Sequence, residues 1–165
     1  MIKKLLIFSV LGLLFASCKK STDNTCIFQE STVVAPVAEV NTLQGWISTN
    51  HSGAVKHPSG VFYEISNAGS GTTAAVCSNI TVKYSGYFLN GTKFDENLTG
   101  FSEALGRLIV GWQKGLPLIK PGGSIALYIP PTLGYGSRDI KDNSGNVIIP
   151  ANSNLIFNIQ LIAVQ

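Results

Sequence analysis

Two hydrophobic periods divide this chain. Val37, Val40, Leu43 and Ile47 recur every three or four positions, which predicts an amphipathic helix over Pro36–Asn50. Pro36 suits its first turn and Asn50 its end. From Val61 onward apolar and polar residues alternate instead, the period of a strand with one buried face. Val61-Phe-Tyr-Glu-Ile65 alternates until Gly69-Ser-Gly71 interrupts it. Ile80, Val82 and Tyr84 fall on one face, and Thr81, Lys83 and Ser85 on the other. Asn90-Gly91 between two apolar runs is the strongest short signal for a hairpin. Ser124–Ile129 and Leu155–Val164 complete the strands, the latter with Leu155, Phe157, Ile159 and Leu161 on one side. Within this region the pattern predicts a single helix, Val110–Leu118, presenting Trp112; Pro117 is tolerated only near its end. His51–Gly60 reads as a loop. The expected fold is α+β, an antiparallel sheet wrapped around one short helix, with an N-terminal helical extension.

The first residues belong to something else. Lys3 and Lys4 precede an apolar run, Leu5–Phe15, far shorter than the ~20 residues of a membrane span. Ala16, Ser17 and Cys18 follow, and the whole resembles the lipobox of a bacterial lipoprotein signal. Such a signal is cut before the cysteine, whose thiol then takes a diacylglycerol. On this reading residues 1–17 are a signal peptide, 18–34 a polar tether, 35–59 a helical extension and 60–165 the main domain. Lys19 in the place of an Asp argues against retention at an inner membrane, so the expected location is the outer membrane of a Gram-negative cell.

Charge then changes its meaning. The formal net charge of +3 falls to +1 once Lys3 and Lys4 leave with the signal. No Lys/Arg cluster remains to follow a phosphate backbone, so nucleic acid is excluded as a partner. Charged residues make up 13% of the chain, against ~25% in an ordinary globular domain; Asn, Ser, Thr and Gly solvate the surface instead. Export leaves Cys26 and Cys77 as a pair in an oxidising compartment, which favours a structural disulfide. It would close a loop of about 50 residues and stabilise by ~4 kcal/mol on the chain-entropy account. Two isolated cysteines make no zinc site, and no nucleophile pattern surrounds His51 or His57. No metal or cofactor is expected.

The second half carries the chemistry. In order it reads Tyr84-Ser-Gly86, Asn90-Gly-Thr-Lys-Phe94-Asp95, Ile109-Val-Gly-Trp112-Gln-Lys-Gly115-Leu116, Ile129-Pro-Pro131, Leu133-Gly-Tyr135-Gly136, Ile149-Pro150 and Leu155-Ile-Phe157. Taken singly, the aromatics on alternating strands would be core. Their joint order and spacing resemble the FKBP-type peptidyl-prolyl cis–trans isomerases over that family's whole catalytic domain.

The resemblance implies isomerase activity on Xaa-Pro bonds of polypeptides, in a monomer that assists folding of exported proteins and is tied to the membrane through Cys18. It also implies a site: Tyr84, Phe94, Asp95, Trp112, Tyr135 and Phe157 as catalytic residues, with Leu108, Ile109 and Ile149 on the substrate. Trp112 would floor a proline pocket between Phe94 and Phe157. The Ile109 N–H and the Tyr135 hydroxyl would donate to substrate carbonyls, and Asp95 would orient Tyr84. In the family a basic residue often follows the Phe-Asp pair. Here Glu96–Gly100 offers none, and Arg107 is the nearest candidate. The connection from Gly136 to Ile148 is also longer than in compact members.

Overall fold

The computed structural model describes residues 26–165. The expected signal peptide, Cys18 and the first part of the tether lie outside the described residues. Helix α1 spans Val37–Asn50, with Pro36 just ahead of its first turn. Strands β1 (Val55–Lys56), β2 (Phe62–Asn67), β3 (Asn79–Phe88) and β4 (Lys93–Ala104) follow. After helix α2 (Val110–Gly115) come β5 (Ser124–Ile129), β6 (Ile140–Lys141), β7 (Val147–Ile149) and β8 (Leu155–Val164). Six strands form one antiparallel sheet in the order β1-β2-β5-β8-β3-β4, and β6 pairs with β7 apart from it. This is the expected α+β arrangement. No helix among the described residues is long and apolar enough to cross a membrane.

Strand alternation sends the sheet's apolar side chains into two layers. On one face Ile80, Val82, Ile125, Leu127, Ile129, Leu155, Phe157, Ile159 and Leu161 pack with Trp112 and Leu116 around α2. On the other, Phe62 and Tyr128 pack against Leu43 and Ile47 of α1. Strand β5 therefore buries consecutive residues at its end, Leu127-Tyr128-Ile129, because both of its faces are covered there. Helix α2 lies unusually close to β5. A Cβ added at Gly111 would overlap Ile129 and one at Gly115 would overlap Leu127. The two glycines are four residues apart and so share one helix face.

The structure corrects several details of the pattern. Val37, placed on the apolar face of α1, is 74% exposed, because the helix meets the sheet only from Val40 onward. The expected loop His51–Gly60 contains β1, a two-residue strand that exists only by pairing with Phe62 and Tyr63. Helix α2 stops at Gly115 and tightens into a 3₁₀ turn over Leu116–Leu118, since Pro117 supplies no N–H for an α-helical bond. The Asn90-Gly91 hairpin has a three-residue loop closed by Phe88 and Thr92, in which Gly91 alone of the pair takes a positive φ, +83°. Such a loop is a type I turn ending in a left-handed residue.

Candidate active site

Strand β4 bulges where it matters most. Val82 faces Phe101 and Tyr84 faces Asn97, so Leu98, Thr99 and Gly100 oppose Lys83 alone. The Asn97 carboxamide oxygen holds the bulge by accepting the N–H groups of Thr99 at 3.2 Å and Gly100 at 2.9 Å. Two extra residues keep the parity of the strand, so Asp95 and Phe101 both stay on the face of Tyr84. From the other direction the 3₁₀ turn Leu105–Arg107 delivers Leu108 and Ile109 to the start of α2. Gln113 fixes that approach by donating to the Leu108 carbonyl at 2.7 Å.

These elements enclose a cavity of about 110 Å³ lined by Tyr84, Asp95, Phe101, Leu108, Ile109, Trp112, Tyr135 and Phe157. Drug-sized ligands need about 300 Å³ or more, so the hollow suits one ring-sized group. Three aromatics frame it edge to face. Ring centroids lie 5.2 Å apart for Tyr84–Trp112, 5.2 Å for Trp112–Phe157 and 6.1 Å for Tyr84–Phe157. A larger groove of about 610 Å³ runs over the opposite, solvent side of the sheet. Ser66, Ser85, Ser124 and Asn158 line it, and no aromatic rings converge there as they do in the smaller cavity.

The polar groups of the cavity divide into two kinds. The Tyr84 hydroxyl donates to Asp95 Oδ2 at 2.7 Å. Burial, then this bond and the Asp95 charge, push the Tyr84 phenol far above the ordinary tyrosine range. Burial and then Asp95 raise Tyr135 as well. Both phenols are therefore neutral donors at any physiological pH. Among the described residues the Tyr135 hydroxyl engages no hydrogen-bond partner, and neither does the Ile109 N–H. The buried indole N–H of Trp112 also lacks one. A buried donor left unpaired costs about 1–3 kcal/mol, a cost that the Trp112 N–H bears within this cavity. No group of three or more His, Cys, Asp or Glu placed to hold a metal ion occurs among the described residues.

The model of the FKBP-type peptidyl-prolyl cis-trans isomerases matches residues 71–162 of this sequence. The chain belongs to this family. It is 43% identical over 117 residues to the FKBP-type isomerase FkpA of Buchnera aphidicola from Schizaphis graminum, covering 68% of this chain and 44% of that one. It is 36% identical over 135 residues to a protein of Legionella longbeachae named outer membrane protein MIP, covering 78% and 56%. The crystal structure of Escherichia coli FkpA superposes with a TM-score of 0.65 at 31% identity, covering 78% of this chain and 58% of that one. The chain spans between 41 and 53% of the length of the three FkpA relatives from Buchnera.

Of the residues the FKBP resemblance singles out, the structure brings seven to the cavity: Tyr84, Asp95, Leu108, Ile109, Trp112, Tyr135 and Phe157. Phe94 is not among the lining residues but packs edge to face on Phe157, with ring centroids 5.5 Å apart, and both rings pack over Gly86. Ile149 is buried in the core and does not line the cavity. The wall is completed by Phe101, whose ring meets Tyr84 edge-on at 6.0 Å. Counting alternate residues from Asp95 reaches Phe101, and that parity was the available signal. Arg107 turns away from Asp95 and pairs with Glu103 at 3.5 Å. Lys93 pairs with Glu96 at 2.7 Å. Asp95 is thus left to Tyr84. At the other end, Cys26 and Cys77 stand with Cα atoms 5.7 Å apart, within the range a disulfide requires.

Proposed function

We propose that this protein isomerises Xaa-Pro peptide bonds in the Trp112 cavity. The observation that carries the reading is a ring-sized aromatic hollow with two unengaged donors, the Tyr135 hydroxyl and the Ile109 N–H. The barrier to rotation, ~18–20 kcal/mol, is amide resonance lost as the C–N bond twists. A twisted amide is less dipolar than a planar one. A dry pocket therefore favours it, and each tenfold in rate requires only ~1.4 kcal/mol of such preference. In this reading the proline ring rests on Trp112 between Tyr84 and Phe157. The two donors hold flanking carbonyls so that rotation is confined to one bond, and Asp95 keeps Tyr84 turned aside as a wall.

The remaining expectations belong to the same reading. Residues 1–17 act as a lipoprotein signal, Cys18 carries the lipid, and residues 18–34 space the domain from the membrane. Residues 35–59 form the extension and 60–165 the isomerase domain, which works as a monomer on exported polypeptides. An outer-membrane location is supported by the name of the Legionella relative. Cys26 and Cys77 form a structural disulfide, and labelling of two free thiols in protein exported without reductant would contradict that. The activity itself is tested by a protease-coupled assay on Ala-Xaa-Pro-Phe peptides with Xaa varied. Acceleration is expected in the series, and a rate no different from buffer throughout refutes the isomerase reading.

A further inference from the structure

Helix α1 lies outside the residues the family model matches, yet one of its side chains grips the segment that delivers Tyr135. Both carboxylate oxygens of Glu39 accept from Thr132, one from its backbone N–H at 2.9 Å and the other from its hydroxyl at 2.7 Å. The contact is partly buried, and a charge-assisted bond of this kind is roughly twice as strong as a neutral one. Thr132 sits in the 3₁₀ turn Pro131–Leu133, three residues before Tyr135. The chain there is wound tightly. The Pro131 carbonyl accepts the N–H groups of Gly134 at 2.9 Å and Gly136 at 2.8 Å, and the Gly136 carbonyl accepts that of Asn152 at 2.8 Å. Tyr135 is thus carried on a knuckle held by its own turns, by Asn152 and by Glu39. Glu39 is in turn fixed because Leu43 and Ile47 bury the same helix in the sheet.

The tether reaches the segment of the other donor too. The Phe28 side chain packs on Gly106, where an added Cβ would overlap it, three residues before Ile109.

We infer that Glu39 is a positioning residue: through Thr132 it sets where the Tyr135 hydroxyl stands over the cavity. The extension is then part of the catalytic unit. This rests on the isomerase reading above, and a double-mutant cycle in the full chain separates the two. Glu39→Ala is expected to lower kcat/KM about fivefold in the unmodified background. With Tyr135→Phe already present it is expected to cost less than about twofold, because the hydroxyl it positions is gone. Thr132→Ser keeps both donors and is expected to hold kcat/KM within about twofold, whereas Thr132→Val, which keeps the backbone N–H and loses the hydroxyl, is expected to give a loss smaller than that of Glu39→Ala. Costs of Glu39→Ala and Tyr135→Phe that simply add would overturn the inference and leave the isomerase reading standing. No catalysis by the unmodified chain would overturn both. Should Glu39→Ala fail to fold, Glu39→Gln, which keeps one acceptor oxygen, runs the same cycle with a smaller loss.

Discussion

Two tyrosine–carboxylate pairs occupy opposite faces of one sheet. On the α1 face the Tyr128 hydroxyl donates to Glu64, which also meets His51 Nδ1 at 3.2 Å. The His51 ring packs at a tilt against Tyr128, with ring centroids 4.8 Å apart, and Trp46 stands against both. Tyr128 is only 1% exposed. On the α2 face the Tyr84 hydroxyl donates to Asp95, and the pair opens onto the aromatic hollow. The chemistry of the two pairs is the same; the cover differs. A helix closes the first and makes it a clasp between layers. Among the described residues nothing closes the second, and its neighbours Tyr135 and Ile109 keep donors unspent. A polar pair becomes part of a site when the fold leaves room beside it.

The comparison breaks most sharply at the floor of the hollow. Trp112→Leu keeps an apolar core residue but opens the floor, and is expected to lower kcat/KM by tenfold or more, equivalent to at least ~1.4 kcal/mol of transition-state stabilisation. A loss of stability with unchanged kcat/KM would show that the floor is ordinary core. The two tyrosines come next. Tyr84→Phe is expected to lower kcat/KM about threefold to fivefold with little change in melting temperature. Tyr128→Phe is expected to cost about 1–2 kcal/mol of stability while kcat/KM stays within about twofold. Urea denaturation and kinetics on both variants decide it, and interchangeable effects would erase the distinction. Phe94→Ala sharpens it further. Since Phe94 packs on Phe157 without lining the cavity, its loss is expected to be smaller than that of Trp112, about twofold to fivefold.

The smallest expected effect is that of pH. Tyr84, Tyr128 and Tyr135 are all raised in the folded state, with burial the first cause of each. The unfolded phenols ionise near 10 while the native ones keep their protons, so the folded form binds more protons in that window. Stability is therefore expected to be insensitive to these groups below about pH 9.5 and to fall as pH rises past 10. The isomerisation rate is expected to be flat between about pH 5.5 and 8.5, since neither phenol titrates there. A bell-shaped profile centred near 7 would contradict this and point to general acid–base catalysis.

The legible parts of this fold were those whose pattern is local. Strands β5 and β8 and the end of α1 stand where alternation, helical period and Asn50 place them. β1 was hidden because two residues carry no period and need β2 to exist at all. The cavity was legible as a set of aromatics and less so as a surface. Which ring lines it depends on the β4 bulge and on Gly86, and both act through neighbours distant in the chain. Hence Phe101 was missed. Arg107 likewise depends on its turn, which leaves it in reach of Glu103 and away from Asp95.

The most direct test of the central claim is NMR exchange spectroscopy on a short Xaa-Pro peptide with a catalytic amount of the unmodified protein. Cis–trans exchange faster than the uncatalysed rate, and returned close to that rate by Trp112→Leu, is the expected result. Peptide resonances that shift on binding while exchange stays at the uncatalysed rate would contradict it and leave a binding module in place of an enzyme.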